Sequence, residues 1–221
     1  MTSRTSILRN LLSVLCLCAI TLNAAEFPDP LVDHKSFPAD SFHRNQTAVL
    51  AGGCFWGVEA VFRQIAGVES AVSGYSGGDA ASAHYDIVDS GKTGHAESVQ
   101  ITYDPRKISY GQLLKVFFSV AHDPTQLNRQ ALDVGPQYRS AIFYLNPEQK
   151  KIAEAYVKQL EQAKVFHAPI VTQVVEFKAF YPAEQLHQNF CTRHPRDSWV
   201  VRVGQPMVEK TKQEFPELLK K

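Results

Sequence analysis

The chain has 221 residues, of which 44% are hydrophobic and 20% are charged, and this composition excludes a disordered, a collagen-like and a disulfide-dense protein. Its 23 Lys and Arg residues against 22 Asp and Glu residues leave a formal net charge of +1, so no electrostatic surface for nucleic acid or anionic lipid is indicated. Length and hydrophobic content together predict one domain with a sizeable core.

The first 25 residues have the pattern of a signal peptide. Arg4 and Arg9 precede an apolar run at residues 11–22, and small residues follow at Ala24 and Ala25. The run is too short to span a bilayer comfortably, although a membrane anchor that stays attached is the alternative. We expect cleavage after Ala24 or Ala25, giving an exported protein, periplasmic or secreted, without stable membrane association.

Removal of the signal peptide leaves two cysteines, Cys54 and Cys191. In an oxidising compartment their simplest use is one structural disulfide, and the alternative is chemistry at Cys54. Two cysteines exclude a zinc site of the three- or four-cysteine type within one chain. No metal or other cofactor is implied.

The chain after the signal peptide alternates between predicted strands and helices. Residues 26–46 predict an N-terminal arm without apolar periodicity, residues 47–204 the folded domain, and residues 205–221 a polar C-terminal tail. Within the domain the pattern predicts strands at 47–51, 68–75, 95–103, 138–145 and 170–177, and helices at 55–65, 109–121 and 147–164.

This order of elements predicts an α+β fold. The first six elements match the split β-α-β, or ferredoxin-like, arrangement, in which two helices pack on one face of a mixed or antiparallel sheet. No internal repeat and no domain-scale linker interrupts the pattern.

The most informative segment is GGCFWGVE at residues 52–59. A cysteine between a strand and a helix lies at the positive end of the helix dipole, where backbone amides stabilise a thiolate. Two preceding glycines permit a tight turn, and Phe55 and Trp56 can form an apolar wall beside the sulfur of Cys54. The alternative is a buried structural cysteine, which is common in protein cores.

Three long motifs in order resemble those of the A-type peptide methionine sulfoxide reductases. They are GCFWGVE, SGKTGHAESVQITYDP and HDPTQLNRQALDVGPQYRSAIFY, and the resemblance runs from about Val49 to Phe190. It implies reduction of the S epimer of methionine sulfoxide, free or in peptides and proteins, and therefore a function in protein repair.

The resemblance also implies residue roles. Cys54 takes the position of the nucleophile that attacks the sulfoxide sulfur, and Glu97 that of the proton donor to the leaving oxygen, which requires a raised pKa. Tyr85 and Tyr138 correspond to tyrosines that donate to this oxygen, and Asp133 belongs to the same polar site. In the substrate-binding role, Phe55 and Trp56 would hold the S-methyl group.

Regeneration of Cys54 is where this chain departs from better-known members of the family. Many carry a resolving cysteine in a Gly-rich C-terminal tail, and the segment after Cys191 contains no cysteine. Cys191 is therefore a possible resolving cysteine, or else a small apolar residue on a helix. A thioredoxin-like protein is the expected reductant, oxidised proteins and peptides the expected substrates, and a monomer the expected state.

Three other functions compete with this one. A Cys–His hydrolase would need a histidine base beside Cys54, a thiol peroxidase would consume hydrogen peroxide, and a binding module would use the two cysteines as a staple. Among the remaining polar residues of the motifs, Glu59 and His95 are expected to be structural, and Arg139 to pair with a carboxylate.

Overall fold

The structure, a computed structural model, describes residues 27–33 and 45–221. The predicted signal peptide lies outside the described residues. The strands are β1 (Gln46–Gly52), β2 (Val68–Ser76), β3 (Ala96–Tyr103), β4 (Arg129–Gln130), β5 (Asp133–Val134), β6 (Ser140–Tyr144), β7 (Gln173–Glu176) and β8 (Phe180–Pro182). The α-helices are α1 (Phe55–Arg63), α2 (Tyr85–Val88), α3 (Tyr110–Val116), α4 (Pro147–Gln162), α5 (Phe190–Arg193) and α6 (Gln205–Glu214). Within the described ranges, no helix is long and apolar enough to cross a membrane.

One sheet organises the described residues, with the strand order β7-β6-β1-β3-β2-β8. The pairs of β1 with β3 and β6, and of β2 with β3 and β8, are antiparallel, whereas β7 joins β6 in parallel. The four strands β6-β1-β3-β2 are those of the predicted split β-α-β unit. The α+β expectation is confirmed, and β4 and β5 form a separate hairpin that the sequence pattern did not predict.

Successive side chains of β1 point to opposite faces of the sheet, and both faces are packed with apolar residues. Ala48 and Leu50 point into the main core with the helices, while Val49 and Ala51 belong to a smaller apolar cluster on the opposite face. The apolar positions predicted for α1 are buried in the main core: Phe55, Val58, Val61, Phe62 and Ile65. The end of β1 and the start of α1 are thereby held rigidly where Cys54 lies between them.

The helix predicted at 109–121 has two parts. Ser109 accepts a hydrogen bond from the Gln112 amide, and the Gln112 side chain accepts one from the Ser109 amide, which completes a capping box before α3. After Val116 the backbone changes to a π-helical turn at Phe117–Ala121. The strand predicted at 170–177 is shorter, because the Val171 amide donates to the Pro124 carbonyl and pairing with β6 begins at Gln173.

Residues 205–221 are not a polar tail, so that prediction is wrong. Most of the segment forms α6, which packs on α1, and Thr211 and Phe215 are buried. The Met207 sulfur occupies the space that a side chain at Gly57 would fill, since a Cβ there would lie 2.7 Å from it. Met207, Thr211 and Phe215 recur every four residues, so a narrow inward face, apolar except for Thr211, holds this mostly polar segment.

The described part of the N-terminal arm, residues 27–33, lies against α3 and α4. The Pro28 carbonyl accepts a hydrogen bond from the Tyr156 hydroxyl (2.8 Å), and Asp29 forms an ion pair with Lys115 (2.9 Å). Asp33 accepts hydrogen bonds from the Ser109 hydroxyl and from the Gly111 amide. These contacts anchor the segment to the domain.

Candidate active site

The site is built where β1 meets α1. Cys54 is the N-cap residue of α1, so the backbone amides of the first turn, that of Trp56 among them, lie beside its sulfur. Gly53 has a φ of +88°, and a Cβ there would lie 2.6 Å from the Gln130 side chain. Glycine at 53 therefore allows both the turn and the close approach of the β4–β5 hairpin to the start of the helix.

Glu97 lies on the central strand β3, buried directly beside Cys54. Its Oε2 accepts a hydrogen bond from the Phe55 amide at 3.0 Å, and its carboxylate interacts with the Cys54 thiol. Burial, assisted by the charges of Asp133 and Asp89, raises the pKa of Glu97 to about 8. Glu97 is therefore largely a protonated acid at neutral pH, as its predicted role requires.

The thiol of Cys54 differs from the sequence expectation. Burial and the neighbouring charge of Glu97 raise its pKa well above the ordinary value for cysteine, against the Trp56 amide, which lowers it. The Trp56 amide at the helix start lowers the pKa of the thiol, as expected from the sequence, but desolvation outweighs this effect in the free enzyme. The resting pair is a neutral thiol beside a neutral acid.

Two tyrosine hydroxyls share this environment. Burial and the charge of Glu97 raise the pKa of Tyr85 to about 12, and the same causes raise that of Tyr138 further. The Tyr138 hydroxyl is 3.4 Å from Asp89 Oδ1. Both side chains remain neutral hydroxyls that can donate hydrogen bonds to an oxygen in the site.

Asp133 joins the site through the β4–β5 hairpin. Its Oδ2 accepts a hydrogen bond from Trp199 Nε1 at 3.1 Å, and burial raises its pKa. Its charge acts on Cys54, Glu97 and Tyr85. The structure therefore brings together all five residues predicted to be catalytic: Cys54, Tyr85, Glu97, Asp133 and Tyr138.

The two predicted wall residues differ in their exposure. Phe55 has no exposed surface, and its ring packs against Tyr75 and His187 behind the site. Trp56 is partly exposed, is stacked on Phe190 with 3.7 Å between ring centroids, and meets the Trp199 ring edge-on. Of the pair, only Trp56 is placed to touch a ligand directly.

Sequence reasoning missed the residues that fix this wall. The Trp56 indole donates to His187 Nδ1 at 3.2 Å, and burial lowers the pKa of His187, which keeps the imidazole a neutral acceptor. Glu184 accepts from the Tyr85 amide and from the Tyr75 hydroxyl, both at 2.9 Å. Glu184 and His187 lie in the nine residues that end at Cys191, and the sequence pattern placed neither of them, nor Trp199, in this site.

Cys191 lies on α5, against the first turn of α1, and it acts electrostatically on Cys54. Its sulfur donates to the Trp56 carbonyl oxygen at 3.3 Å and touches Gly204, and burial raises its pKa to about 12. Cys54 and Cys191 are both free thiols. The structural disulfide considered from the sequence is absent between them.

Three further motif residues have structural contacts. Glu59 is buried on α1 and accepts from the Ser73 hydroxyl and the Asn189 amide. The ring of His95 pairs with the Asp79 carbonyl. Arg139 donates to the backbone carbonyls of residues 94, 95 and 136, so the expected carboxylate partner is replaced by carbonyl oxygens.

The described residues contain no group of three or more His, Cys, Asp or Glu side chains that could hold a metal ion.

Comparison with known proteins gives concordant results. Residues 46–219 match the model of the peptide methionine sulfoxide reductase family. The chain is 51% identical to peptide methionine sulfoxide reductase MsrA 2 of Synechocystis sp., over 87% of this chain and 90% of that protein. It is 54% identical to MsrA 2 of Mesorhizobium japonicum, over 85% of this chain and 93% of that protein.

Solved structures show the same relation. Reduced Mxr1 from Saccharomyces cerevisiae superimposes with a TM-score of 0.62 at 29% identity, covering 73% of this chain and 91% of that one. Methionine sulfoxide reductase A of Corynebacterium diphtheriae gives a TM-score of 0.61 at 32% identity, covering 70% and 77%.

Proposed function

This chain belongs to the peptide methionine sulfoxide reductase family, and we propose that Cys54, Glu97 and the two tyrosines carry its reaction. The enzyme is a peptide-methionine (S)-S-oxide reductase that returns methionine sulfoxide in proteins to methionine and so repairs them. The observation that carries the assignment of roles is the Cys54–Glu97 pair at the start of α1, in which Glu97 is buried and its pKa is raised to about 8 while Cys54 is partly exposed.

The proposed reaction moves one oxygen and one proton. The sulfoxide oxygen accepts hydrogen bonds from protonated Glu97 and from the hydroxyls of Tyr85 and Tyr138. The Cys54 sulfur attacks the sulfoxide sulfur, Glu97 protonates the oxygen, and the thiol proton of Cys54 returns to Glu97. Migration of the hydroxyl group from the substrate sulfur to the Cys54 sulfur breaks both the original S–O bond and the S–S bond formed by the attack, leaving methionine and a sulfenic acid.

Selectivity for the S-methyl group falls mainly to Trp56 in this proposal. The indole of Trp56 is stacked on Phe190, packs edge-on against Trp199 and donates its N–H to His187. A side chain held by three partners loses little freedom when a ligand binds, so the apolar wall is preorganised. Phe55 supports that wall from within the core.

Regeneration of Cys54 is proposed to need an external thiol rather than Cys191. The Cys191 thiol is hydrogen-bonded to a carbonyl in the first turn of α1 and is protonated at neutral pH, because its pKa is raised to about 12. The Cys54 thiol has Glu97 beside it to take its proton, whereas the Cys191 thiol is bonded to a carbonyl oxygen that cannot, so Cys191 is the poorer nucleophile. We therefore propose a thioredoxin-like protein as the reductant that attacks the Cys54 sulfenic acid.

A single turnover tests both the activity and the regeneration route. The reduced protein is mixed with a peptide containing the S epimer of methionine sulfoxide, without reductant, and methionine and intact mass are measured. We expect methionine together with a gain of one oxygen by the enzyme, captured by a sulfenic acid trap, and the same result from Cys191→Ala.

Other outcomes of that turnover are decisive. Loss of two hydrogens by the wild-type enzyme, replaced by a gain of oxygen in Cys191→Ala, would show a Cys54–Cys191 disulfide and contradict the external route. Absence of methionine, with consumption of hydrogen peroxide, would contradict the proposed reaction and favour a thiol peroxidase.

Export is also part of the proposal, and the sequence of residues 1–25 supports it. Cleavage after Ala24 or Ala25 leaves a mature chain in which the contacts at Pro28 and Asp29 lie a few residues from the new terminus. We propose a periplasmic or secreted monomer without stable membrane association. N-terminal sequencing of the protein from the extracytoplasmic fraction is expected to begin at Ala25 or Glu26; a protein that keeps Met1 and sediments with membranes would contradict export.

A further inference from the structure

Large apolar side chains are exposed on the segments that form the active site. Each of these side chains lies on a helix or strand that also carries a residue of the site, or within a few residues of such a residue in the chain. Their exposed fractions are 43% for Ile87, 64% for Leu127, 72% for Leu132, 67% for Val134 and 57% for Leu186. We call these five residues the apolar rim. Exposed apolar side chains on the segments that carry the residues of a site can contribute to its binding surface.

The β4–β5 hairpin carries Leu132 and Val134 of the rim, and Leu127 lies just before it. The amide side chains of this segment face the domain. Gln130 lies on Gly53 and donates to the Asp123 carbonyl, and Gln126 accepts from the Ala131 amide. Leu132 and Val134, which flank Asp133, are instead directed to solvent. The hairpin is fixed over the start of α1 by these bonds and by the Asp133–Trp199 hydrogen bond.

Ile87 and Leu186 supply the rest of the rim. Ile87 lies two residues after Tyr85 in α2, and Leu186 directly precedes His187. The two segments are joined by the Tyr85 amide, which donates to Glu184, and by the packed rings of Tyr85 and His187, whose centroids are 4.3 Å apart. Ile87 and Leu186 both line a surface cavity of about 450 Å³ beside Tyr85.

We propose that the apolar rim binds apolar side chains that flank the methionine sulfoxide in an unfolded segment of an oxidised protein. The proposal rests on the proposed function, because a sulfoxide that reaches Cys54 must bring its neighbouring residues over the rim. Methionine in a protein core is surrounded by apolar residues, and its oxidation to a polar sulfoxide disrupts that packing. The rim then selects segments that have left a core, by burying their exposed apolar surface.

The test compares three S-epimer substrates on the full mature enzyme with excess dithiothreitol as the reductant. They are N-acetyl methionine sulfoxide, a peptide with Leu on both sides of the sulfoxide, and the same peptide with Ser on both sides. We expect kcat/KM for the Leu peptide to exceed that for the Ser peptide by about tenfold, a difference set by apolar area removed from water.

The variant with Leu132→Ser and Val134→Ser tests the surface itself. It is expected to lower kcat/KM for the Leu peptide by about tenfold, with little change for the Ser peptide and the small substrate. Leu31→Ser is the matched control, because Leu31 is 85% exposed but lies on the N-terminal segment, hydrogen-bonded to Gln159 of α4. It should leave all three rates unchanged.

Several results would overturn the proposal. One is an equal kcat/KM of the wild-type enzyme for the Leu and Ser peptides. Another is a double variant that keeps the wild-type preference for the Leu peptide, or that lowers kcat/KM equally for all three substrates. Rates that are normal with dithiothreitol but reduced with thioredoxin would assign the rim to the reductant instead. Failure of the wild-type enzyme on every substrate would contradict the proposed function itself.

Discussion

We expect Cys54→Ser to abolish methionine sulfoxide reduction, lowering the rate by at least about a thousandfold, because the nucleophile is lost. Serine is a favourable N-cap residue, so α1 should form as before. The measurement is methionine released from a sulfoxide peptide in the presence of excess dithiothreitol, with circular dichroism to confirm the fold.

Cys191→Ser is the matched control for this variant. Its thiol is the other free cysteine of the described residues, and it is bonded to the Trp56 carbonyl rather than to Glu97. With dithiothreitol as the reductant, it should retain the wild-type rate. Full activity of Cys54→Ser would remove Cys54 as the nucleophile and return the site to its structural interpretation.

The second large effect is expected from Glu97→Gln, which should slow the reduction by about a hundredfold or more, because the proton donor to the sulfoxide oxygen is lost. The amide oxygen can still accept the Phe55 hydrogen bond, so the start of α1 is preserved. Glu59→Gln is the matched control, since Glu59 is also a buried carboxylate but is bonded to Ser73 and Asn189 outside the site.

The pH dependence provides a second readout of the same role. The pKa of Glu97 is raised to about 8, so the protonated acid is present below that pH and is lost as the pH rises through it. We expect the single-turnover rate of the wild-type enzyme to fall above about pH 8. Glu97→Gln should not show this decline. A wild-type rate that stays constant from pH 6 to about pH 9 would exclude Glu97 as the proton donor.

These two predictions follow from reacting groups that are neutral at rest. Burial raises the pKa values of Cys54, Glu97, Tyr85 and Tyr138 together. A neutral, dipolar sulfoxide can approach these four side chains without the desolvation cost of an ionised nucleophile or acid. Their protonation also places every proton that the reaction needs within the site before the substrate arrives.

Local features of the chain were well predicted from the sequence. The Gly-Gly-Cys turn between β1 and α1 and the helix starts predicted at residues 109 and 147 depend on neighbouring residues, and each was found near its predicted position. The short elements α2, β4, β5 and β8 were missed, because two to four residues carry too little periodicity to indicate a strand or a helix.

The C-terminal segment shows why polarity alone misleads. Residues 205–221 contain many charged side chains, and the apolar face of α6 has little more than one residue per turn. That face is sufficient because Gly57 on α1 leaves room for Met207. Gly57, which receives the face of α6, lies about 150 residues earlier in the chain, so no local sequence pattern can reveal the contact.

The sequence by itself determined the α+β fold, the family and the identity of the residues that meet at the site, because strand and helix periodicity and long motifs are properties of neighbouring residues. Only the tertiary structure decided the state of those residues: that Cys54 is a neutral thiol, that Phe55 lies behind the wall that Trp56 presents, and that Trp199 holds Asp133. Burial, charge and hydrogen bonding at the site come from segments far apart in the chain, and their balance exists only once the chain has folded.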